Sequence, residues 1–522
     1  MMNKLSRYIK IAAAAVLLAA GTTSCLEKFP SSSIPEDQAM KTFNDVVEHL
    51  TGIYVNMLSG SLFSGSLTLI PDIQADLVYA VDGNSNTYGT FWRWEIRPTD
   101  LEIEGVYASL YAVIGSCNFF LEHIDDVRAA ETSDANLDLL DNYQGEVYAI
   151  RALCYSKLLE LFCKAYDSEE QAKADLGVVL RTKYSEPEPV KRASLYDSYM
   201  FVMSDLDKAA GLMDEELTDQ AGSYVMSNAA IQALRARISL YMHDWDKAIE
   251  YSSILIDERG ATFPLSSTRV ASTNTGLNDF GYMWQYDAAT ELFWELGFTP
   301  TSYGGALGTV FLNFNRDYTY FYPDYVPAQW VLDLYDDADG RYSSYFATAE
   351  ELGSSSGYAG VSDSPLLIKY FGNINFINSY NIYHVNMPKL LRMAEQYLIR
   401  AEAYCQRAAE NGGNAADFNK ASADLTTLRS ARYTTGGSLS VNSNNWLDII
   451  SEERVRELYM EGFRLNDLKR WHRGFTRKFQ SGAQQTGSDI TVSADNPMFV
   501  WPIPQHELLA PGSEIEPNDS NR

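Results

Sequence analysis

Aromatic side chains beside polar loop residues are the groups of this sequence best suited to bind a ligand. In residues 82–97, DGNSNTYGTFWRWEIR, Asn84 precedes Tyr88, Phe91 and Trp92. Sugars stack their C–H faces on such rings while amide groups bond the hydroxyls, and the same rings also suit peptides. We therefore predict that Asn84, Tyr88, Phe91 and Trp92 contact a ligand.

A second aromatic set follows much later in the chain. Tyr282, Trp284 and Tyr286 alternate with other residues, and Tyr303 lies in the PTSYGG turn. Alternation at a period of two predicts that the trio occupies one face of a strand. All four residues are predicted ligand contacts, because Tyr and Trp keep a polar edge for water while the ring is covered.

No catalytic motif is present, so no catalytic residue, metal ligand or cofactor is predicted. HExxH, GxSxG, GxxxxGK[ST] and a GxGxxG after a strand are all missing, and the six histidines are scattered. Carboxylate pairs among 69 acidic residues carry no weight as evidence for a glycosidase. The run DLYDDADGR, residues 333–341, has part of a calcium-loop pattern but no closing Glu, which favours a solvated acidic turn.

The amino terminus has the pattern of a lipoprotein signal. Three basic residues precede an apolar run, residues 11–20, that is too short to span a bilayer. Small residues then lead to Cys25 in LAAGTTSC. We predict a signal peptide over 1–24, lipidation of Cys25 and a tether over 25–36; an ordinary secretory peptide is the alternative.

Charge and cysteine usage narrow the function classes. The net charge of −28 argues against nucleic acid and against broad contact with anionic lipid. It also favours a neutral or weakly charged ligand. Four further cysteines occupy apolar, helical settings and are expected to be buried free thiols, with no pairing assigned: Cys117, Cys154, Cys163 and Cys405.

Helical periodicity dominates the chain and predicts a mostly α fold. Two segments, 227–258 and 394–432, resemble tetratricopeptide hairpins, with small alanines at the packing positions. Six helices are predicted before the centre of the chain: 35–58, 99–127, 136–166, 194–214, 227–243 and 245–258.

The centre of the chain differs in composition. Residues 262–386 are rich in Gly, Ser, Asn and Tyr, with short strand signals at 292–298 and 366–371. We predict an irregular, loop-rich lobe on a tetratricopeptide-like helical-repeat scaffold. The single body would span 37–522, with repeats at about 37–260 and 388–475, the lobe at about 262–386 and a C-terminal segment at 476–522.

A charged block near the carboxyl terminus reads EERVRELYMEGFRLNDLKRW. Glu453, Glu457 and Glu461 repeat at a spacing of four, so they share one helix side, where Arg454, Arg456, Arg464 and Arg470 are expected to pair with them. Gly462 is predicted to take a positive φ between two helices. The later run FVWPIPQHEL predicts a short strand broken by Pro502 and Pro504.

These two blocks resemble the C-terminal signature of the SusD/RagB family. LTGIYVNM in the first helix, the 145–166 helix and PDYVPAQWVLDLYDDADGR resemble further family segments, so the likeness covers nearly the whole chain. The resemblance implies a lipid-anchored protein of the outer membrane, exposed at the cell surface, that binds a nutrient without catalysis.

The resemblance also implies partners. The expected ligand is an oligosaccharide, and the expected receiver is a SusC-like TonB-dependent transporter. The RagB branch implies peptides as an alternative ligand. Two readings outside this class stay open: a lipid-anchored glycoside hydrolase, and a repeat scaffold that joins envelope proteins.

Overall fold

The computed structural model describes residues 39–185, 190–314, 319–357 and 363–522. The predicted signal peptide 1–24, the lipidation site Cys25 and the tether 25–36 lie outside these residues. Across the described ranges, no helix has the length and apolarity needed to cross a bilayer.

Helices make up most of the first half of the described chain. They are α1 Phe43–Met57, α2 Ser66–Gln74, α3 Gly89–Trp92, α4 Leu101–Ala130, α5 Asp134–Phe162, α6 Glu169–Ala174, α7 Leu195–Leu212, α8 Glu215–Thr218, α9 Asn228–Tyr241 and α10 Trp245–Ser253. A π-helical turn, Ile254–Glu258, extends α10.

Helices in the second half are shorter until the last repeat. They are α11 Asp279–Gln285, α12 Thr309–Leu312, α13 Gln329–Leu332, α14 Tyr342–Tyr345, α15 Ile374–Tyr380, α16 Met393–Glu410, α17 Ala415–Arg432, α18 Trp446–Leu458, α19 Arg464–Arg470 and α20 Gln505–Leu509. The predicted mostly α fold class is confirmed.

Side-chain caps fix where the long helices begin. Thr42 and Asp45 form a capping box at α1, so that helix starts later than the predicted residue 35. Ser194, Ser227 and Asp244 accept hydrogen bonds from the first turns of α7, α9 and α10. The other predicted helices agree with the structure to within a few residues.

Two helical hairpins form the repeat-like units, as predicted. α9 packs against α10, and α16 packs against α17, while α10 joins the two hairpins by packing on α16. The small residues predicted at the contacts are fully buried: Ala229, Ala233, Ala236, Ala401, Ala403 and Ala421. A side chain no larger than a methyl group lets neighbouring helices approach closely.

Strands are few and short, and they lie mainly in the irregular lobe. They are β1 Val78–Ala80, β2 Leu292–Glu295, β3 Tyr320–Phe321, β4 Tyr325–Pro327, β5 Phe346–Ala347, β6 Ser355–Ser356, β7 Leu366–Leu367, β8 Lys389–Arg392, β9 Phe475–Arg477 and β10 Ile490–Val492. Antiparallel ladders join β1–β4, β2–β8, β5–β7 and β9–β10, and β3–β6 is parallel. The two predicted lobe strands are confirmed but shorter.

The predicted strand at the carboxyl terminus is wrong. Pro497–Phe499 is a 3-10 turn, and residues 500–504 pair with no strand. Pro502 and Pro504 lack the N–H that a ladder needs. The Trp501 N–H instead donates to the carbonyl of Leu161, at 2.7 Å, and so fastens this segment to the end of α5.

The three glutamates spaced four residues apart, Glu453, Glu457 and Glu461, point into the protein interior. Glu457, on α18, is fully buried and accepts hydrogen bonds from three guanidinium groups. Their donor–acceptor distances are 2.6 Å for Arg392, 2.9 Å for Arg432 and 2.9 Å for Arg341. These cations hold the pKa of Glu457 well below its usual range despite burial, which opposes ionisation.

Neighbouring carboxylates extend this network. Glu453 pairs with Arg341 at 2.8 Å, and Glu461 pairs with Arg392 at 2.8 Å and Lys369 at 2.7 Å. The predicted pairing with arginines of the same hairpin is correct only for Arg456, which contacts Glu453 at 3.2 Å. The main partners come instead from β8, α17 and the lobe.

The turn between α18 and α19 has the backbone that was predicted. Gly462 has φ +85°, and a Cβ there would lie 2.9 Å from the carbonyl oxygen of Thr68. The N–H groups of Gly462 and Arg464 donate to Asp72 of α2, at 2.9 and 2.8 Å. Burial raises the pKa of Asp72 to about 7.

A buried carboxyl group also links α1 to α5. The hydroxyl of Tyr54 donates to Glu146 and accepts from the N–H of Met226, at 2.8 Å. Burial raises the pKa of Glu146 to about 8, an effect that the bond from Tyr54 only partly opposes. At neutral pH the folded protein therefore holds Glu146 mainly protonated.

Replacing Glu457 with Gln should lower the free energy of unfolding by about 3–5 kcal/mol, because three buried cations lose their shared anion. Urea denaturation followed by circular dichroism measures the change. Glu452→Gln, on the same helix but half exposed beside Arg456, is the control and should stay within about 0.5 kcal/mol of the parent. Equal stabilities for the two variants would contradict the role given to Glu457.

Glu146→Gln should flatten the pH dependence of stability. The folded pKa of Glu146 is raised to about 8, above its unfolded value of about 4.3, so the folded state binds more protons between them. The stabilisation that Glu146 contributes to the folded state is fully present below the unfolded pKa, and it is lost as the pH rises from the unfolded pKa through the folded pKa. Urea unfolding at about pH 5 and about pH 8 should show a smaller decrease for Glu146→Gln than for the parent.

Candidate ligand-binding surface

The predicted loop between α2 and α4 is anchored at its polar end. The Asn84 amide donates to the Val81 carbonyl, at 2.6 Å, and to the Gln484 side chain, at 2.9 Å. Asp324 accepts from both the N–H and the hydroxyl of Ser85, at 2.6 and 2.8 Å. The Asn84 amide therefore serves to fix the loop.

The aromatic end of that loop turns inward. Phe91 and Trp92 are completely buried, and Trp92 donates its indole N–H to the Val78 carbonyl, at 3.1 Å. The guanidinium of Arg477 lies 4.7 Å from the Trp92 ring centre. Tyr88, half buried, has the left-handed φ of +57° and places its hydroxyl 3.4 Å from Ser66. Phe91 and Trp92 offer no ring face to a ligand in this structure.

The trio at 282–286 lies on a helix, so the predicted strand is wrong. Tyr282 and Tyr286 are four residues apart at α11, which stacks their rings at 4.8 Å between centres. Alternation over three aromatic positions fits both a strand and one helical turn. The side chain of Asn278 caps the first turn and so favours the helix. Both tyrosine rings remain partly accessible.

Trp284, between them in sequence, belongs to the core. Its side chain is 1% exposed, and the ammonium of Lys369 lies 3.9 Å from its ring centre. Lys369 also bonds Glu461, so Trp284 ties the lobe to the buried charge network. Burial lowers the pKa of Lys369 to about 8. Trp284 therefore presents no ring face at the protein surface.

Tyr303 is the predicted residue that the structure leaves most exposed, at 44%. Its ring lies 6.5 Å from that of Phe298, which lies 5.7 Å from Phe376 on α15. Tyr380, 58% exposed, follows one turn later on α15. We call the accessible faces of Phe298, Tyr303, Phe376 and Tyr380 the aromatic surface.

Sequence reasoning missed the half of this surface that α15 carries. The available signal was the run NINFINSYNIY, residues 373–383, in which amides alternate with aromatic rings. Asn375, Asn378 and Asn381 are all exposed beside Phe376 and Tyr380. Rings for stacking and amides for hydroxyl groups thus share one short helix.

Asn373 positions α15 on the lobe. Its side-chain oxygen accepts from the Asn375 N–H, at 2.9 Å, and so caps the helix. Its side-chain N–H₂ donates to Asp287, at 2.8 Å, and to the Tyr286 carbonyl, at 3.2 Å. Asp287 also bonds Lys389, so α15 is fastened to both α11 and β8.

The aromatic surface carries no formal charge. Residues 298–303 and 374–384 include no Asp, Glu, Lys or Arg. Burial lowers the pKa of His384 to about 4, so this imidazole is neutral at physiological pH. Binding here would rest on stacking and neutral hydrogen bonds.

The described acidic residues elsewhere in the lobe do not gather into a metal site. Asp339 of the 333–341 run bonds the buried Arg341, at 2.7 Å. Across the described ranges, no three His, Cys, Asp or Glu side chains are arranged to hold a metal ion. The four described cysteines are buried and unpaired, as predicted.

A helical-repeat scaffold that carries exposed rings on an irregular lobe defines the structural class of this protein. Two family models match the chain. One, described as the SusD family, covers residues 365–512, and the other, described as starch-binding and associating with the outer membrane, covers 26–240. The chain belongs to the SusD/RagB family, a carbohydrate-binding family located at the outer membrane.

Individual relatives match over almost their full length. The starch-binding protein SusD of Bacteroides thetaiotaomicron is 23% identical, with 96% of this chain and 97% of the relative covered. A solved SusD superfamily structure from the same species has a TM-score of 0.75, 23% identity and coverage of 91% and 99%. A laminarin-binding SusD-like protein has a TM-score of 0.65, 20% identity and coverage of 92% and 100%.

Asn373→Ala should loosen α15, because the helix loses its cap and its bond to Asp287. We expect hydrogen exchange at residues 374–380 to accelerate by about tenfold, which corresponds to about 1 kcal/mol of local stability. Asn375→Ala, on the same helix but with its side chain exposed, is the control. Unchanged exchange in Asn373→Ala would show that other contacts hold the helix.

Proposed function

We propose that the protein captures an oligosaccharide on its aromatic surface and delivers it to a SusC-like TonB-dependent transporter. The observation that carries the proposal is the pairing of Tyr303 and Tyr380 with exposed amides on an uncharged patch. Rings stack on sugar faces, and amides can both donate to and accept from hydroxyl groups.

A neutral glycan fits the electrostatics better than a charged one. The chain carries a net charge of −28, which repels polyanions at long range. The described part of the aromatic surface supplies no cation to offset that repulsion. The relatives named for starch and laminarin agree with this choice, since both are neutral glucans.

Capture followed by transfer requires no bond to be made or broken. In this proposal the lipid on Cys25 and the tether 25–36 hold the protein at the cell surface beside the barrel. The protein acts by raising the local concentration of ligand at the transporter entrance. Catalytic residues and a cofactor are therefore absent from the proposed mechanism.

The double substitution Tyr303→Ala and Tyr380→Ala should weaken glycan binding by at least about tenfold, since each stacking ring contributes about 1 kcal/mol. Calorimetric titration with laminarin and with amylose measures the affinity. Tyr184→Ala, which removes an equally exposed ring from the scaffold, should leave binding unchanged.

Peptides are the competing ligand, because the same rings accept apolar side chains. Titration with a tryptic digest of casein distinguishes a peptide ligand from a glycan ligand. If peptides bind and no neutral glucan does, the ligand is a peptide and the oligosaccharide part of the proposal is rejected.

Co-purification of a barrel transporter from detergent-solubilised envelopes tests the delivery part of the proposal. Repeated failure to co-purify a transporter would reject delivery.

A further inference from the structure

A cavity lies outside the aromatic surface, where the C-terminal segment crosses the end of α5. Its volume is about 380 Å³, within the range of small-molecule sites. Lys469 and His472 contribute from the end of α19, and residues 494–497, 499 and 500 form another wall. Lys164 and Asp167, which follow α5, also line the cavity.

Lys469 gives this cavity an incompletely satisfied donor. Its ammonium donates to the carbonyls of Glu160 and of Cys163, the latter at 2.8 Å, and so caps α5. An ammonium has three N–H donors, and the residue is 93% removed from solvent. No carboxylate of the described chain lies within ion-pair distance of it, and burial lowers its pKa to about 8.

The remaining walls combine acceptors, donors and an apolar floor. Asp167 bonds His472 at 2.7 Å, with 61% of the His472 side chain and 39% of the Asp167 side chain exposed. Asp495 is exposed and lines the cavity together with the buried Phe499, whose ring packs edge-on against Trp94 at 5.0 Å. The lining places Lys164 and Lys469 among four aspartates, Asp167, Asp175, Asp495 and Asp519, so the cavity disfavours an anionic ligand.

We propose that this cavity is a second binding site for a neutral mono- or disaccharide. Vicinal hydroxyls would donate to the Asp167 and Asp495 carboxylates and accept from the third N–H of the Lys469 ammonium, the one that the carbonyls of Glu160 and Cys163 do not use. The C–H face of the ring would lie toward Phe499. The site is distinct from the aromatic surface and stands independently of the delivery function.

The test is a set of crystal soaks and calorimetric titrations with glucose, galactose, mannose, maltose and cellobiose. Ala494 is exposed and lines the cavity, so Ala494→Trp should fill it without removing a polar group. We expect at least one of these sugars to bind the parent saturably and to give density in the cavity. Ala494→Trp should abolish that binding.

Two controls separate this site from the aromatic surface. Ala416→Trp adds the same side chain at an exposed position of α17 and should bind the sugar like the parent. The double variant Tyr303→Ala and Tyr380→Ala should lose polysaccharide binding but still bind the mono- or disaccharide in the cavity. The proposal is overturned if none of the five sugars binds, if soaked crystals show only water in the cavity, or if Ala494→Trp binds as the parent does.

Discussion

The buried carboxylate of Glu457 is the contact on which the assembly of this fold depends. It accepts from Arg341 in the lobe, Arg392 on β8 and Arg432 on α17, three segments that are distant from one another in the chain. Removing such charges from water is expensive, and only complete pairing offsets the penalty. The pairing is therefore complete in one relative placement of lobe and repeats, which makes the buried charges a constraint on that placement.

The sequence predicted those structural features that depend on interactions within a few residues of the chain. The helices, the alanines at their crossings and the positive φ of Gly462 were all found, because periodicity and turn chemistry act within a few residues. The partners of Glu457 were not found, although its spacing with Glu453 and Glu461 was. Spacing shows which residues share a helix face; it does not show which distant segment covers that face.

At the candidate binding surface, too, the sequence did not show which residues are covered by distant segments. Trp92, Trp284 and Tyr303 have similar sequence surroundings, yet the first two are core residues and only Tyr303 is exposed. Burial depends on what packs from elsewhere, here Arg477 over Trp92 and Lys369 over Trp284. The α15 rings were missed for the opposite reason, since a helix of seven residues is too short to show periodicity above that of a loop.

Asp72 connects residues that are 390 positions apart in the chain, through its bond to the Gly462 N–H. Because a ribosome releases the amino-terminal residues first, α2 emerges long before the helix that it caps. Until then the carboxylate must stay hydrated or take up a proton, and α2 cannot settle in its final dry environment. The buried position of α2 is therefore completed only after residues 462–464 have been synthesised, which makes the native contacts of an early helix depend on a segment close to the carboxyl terminus.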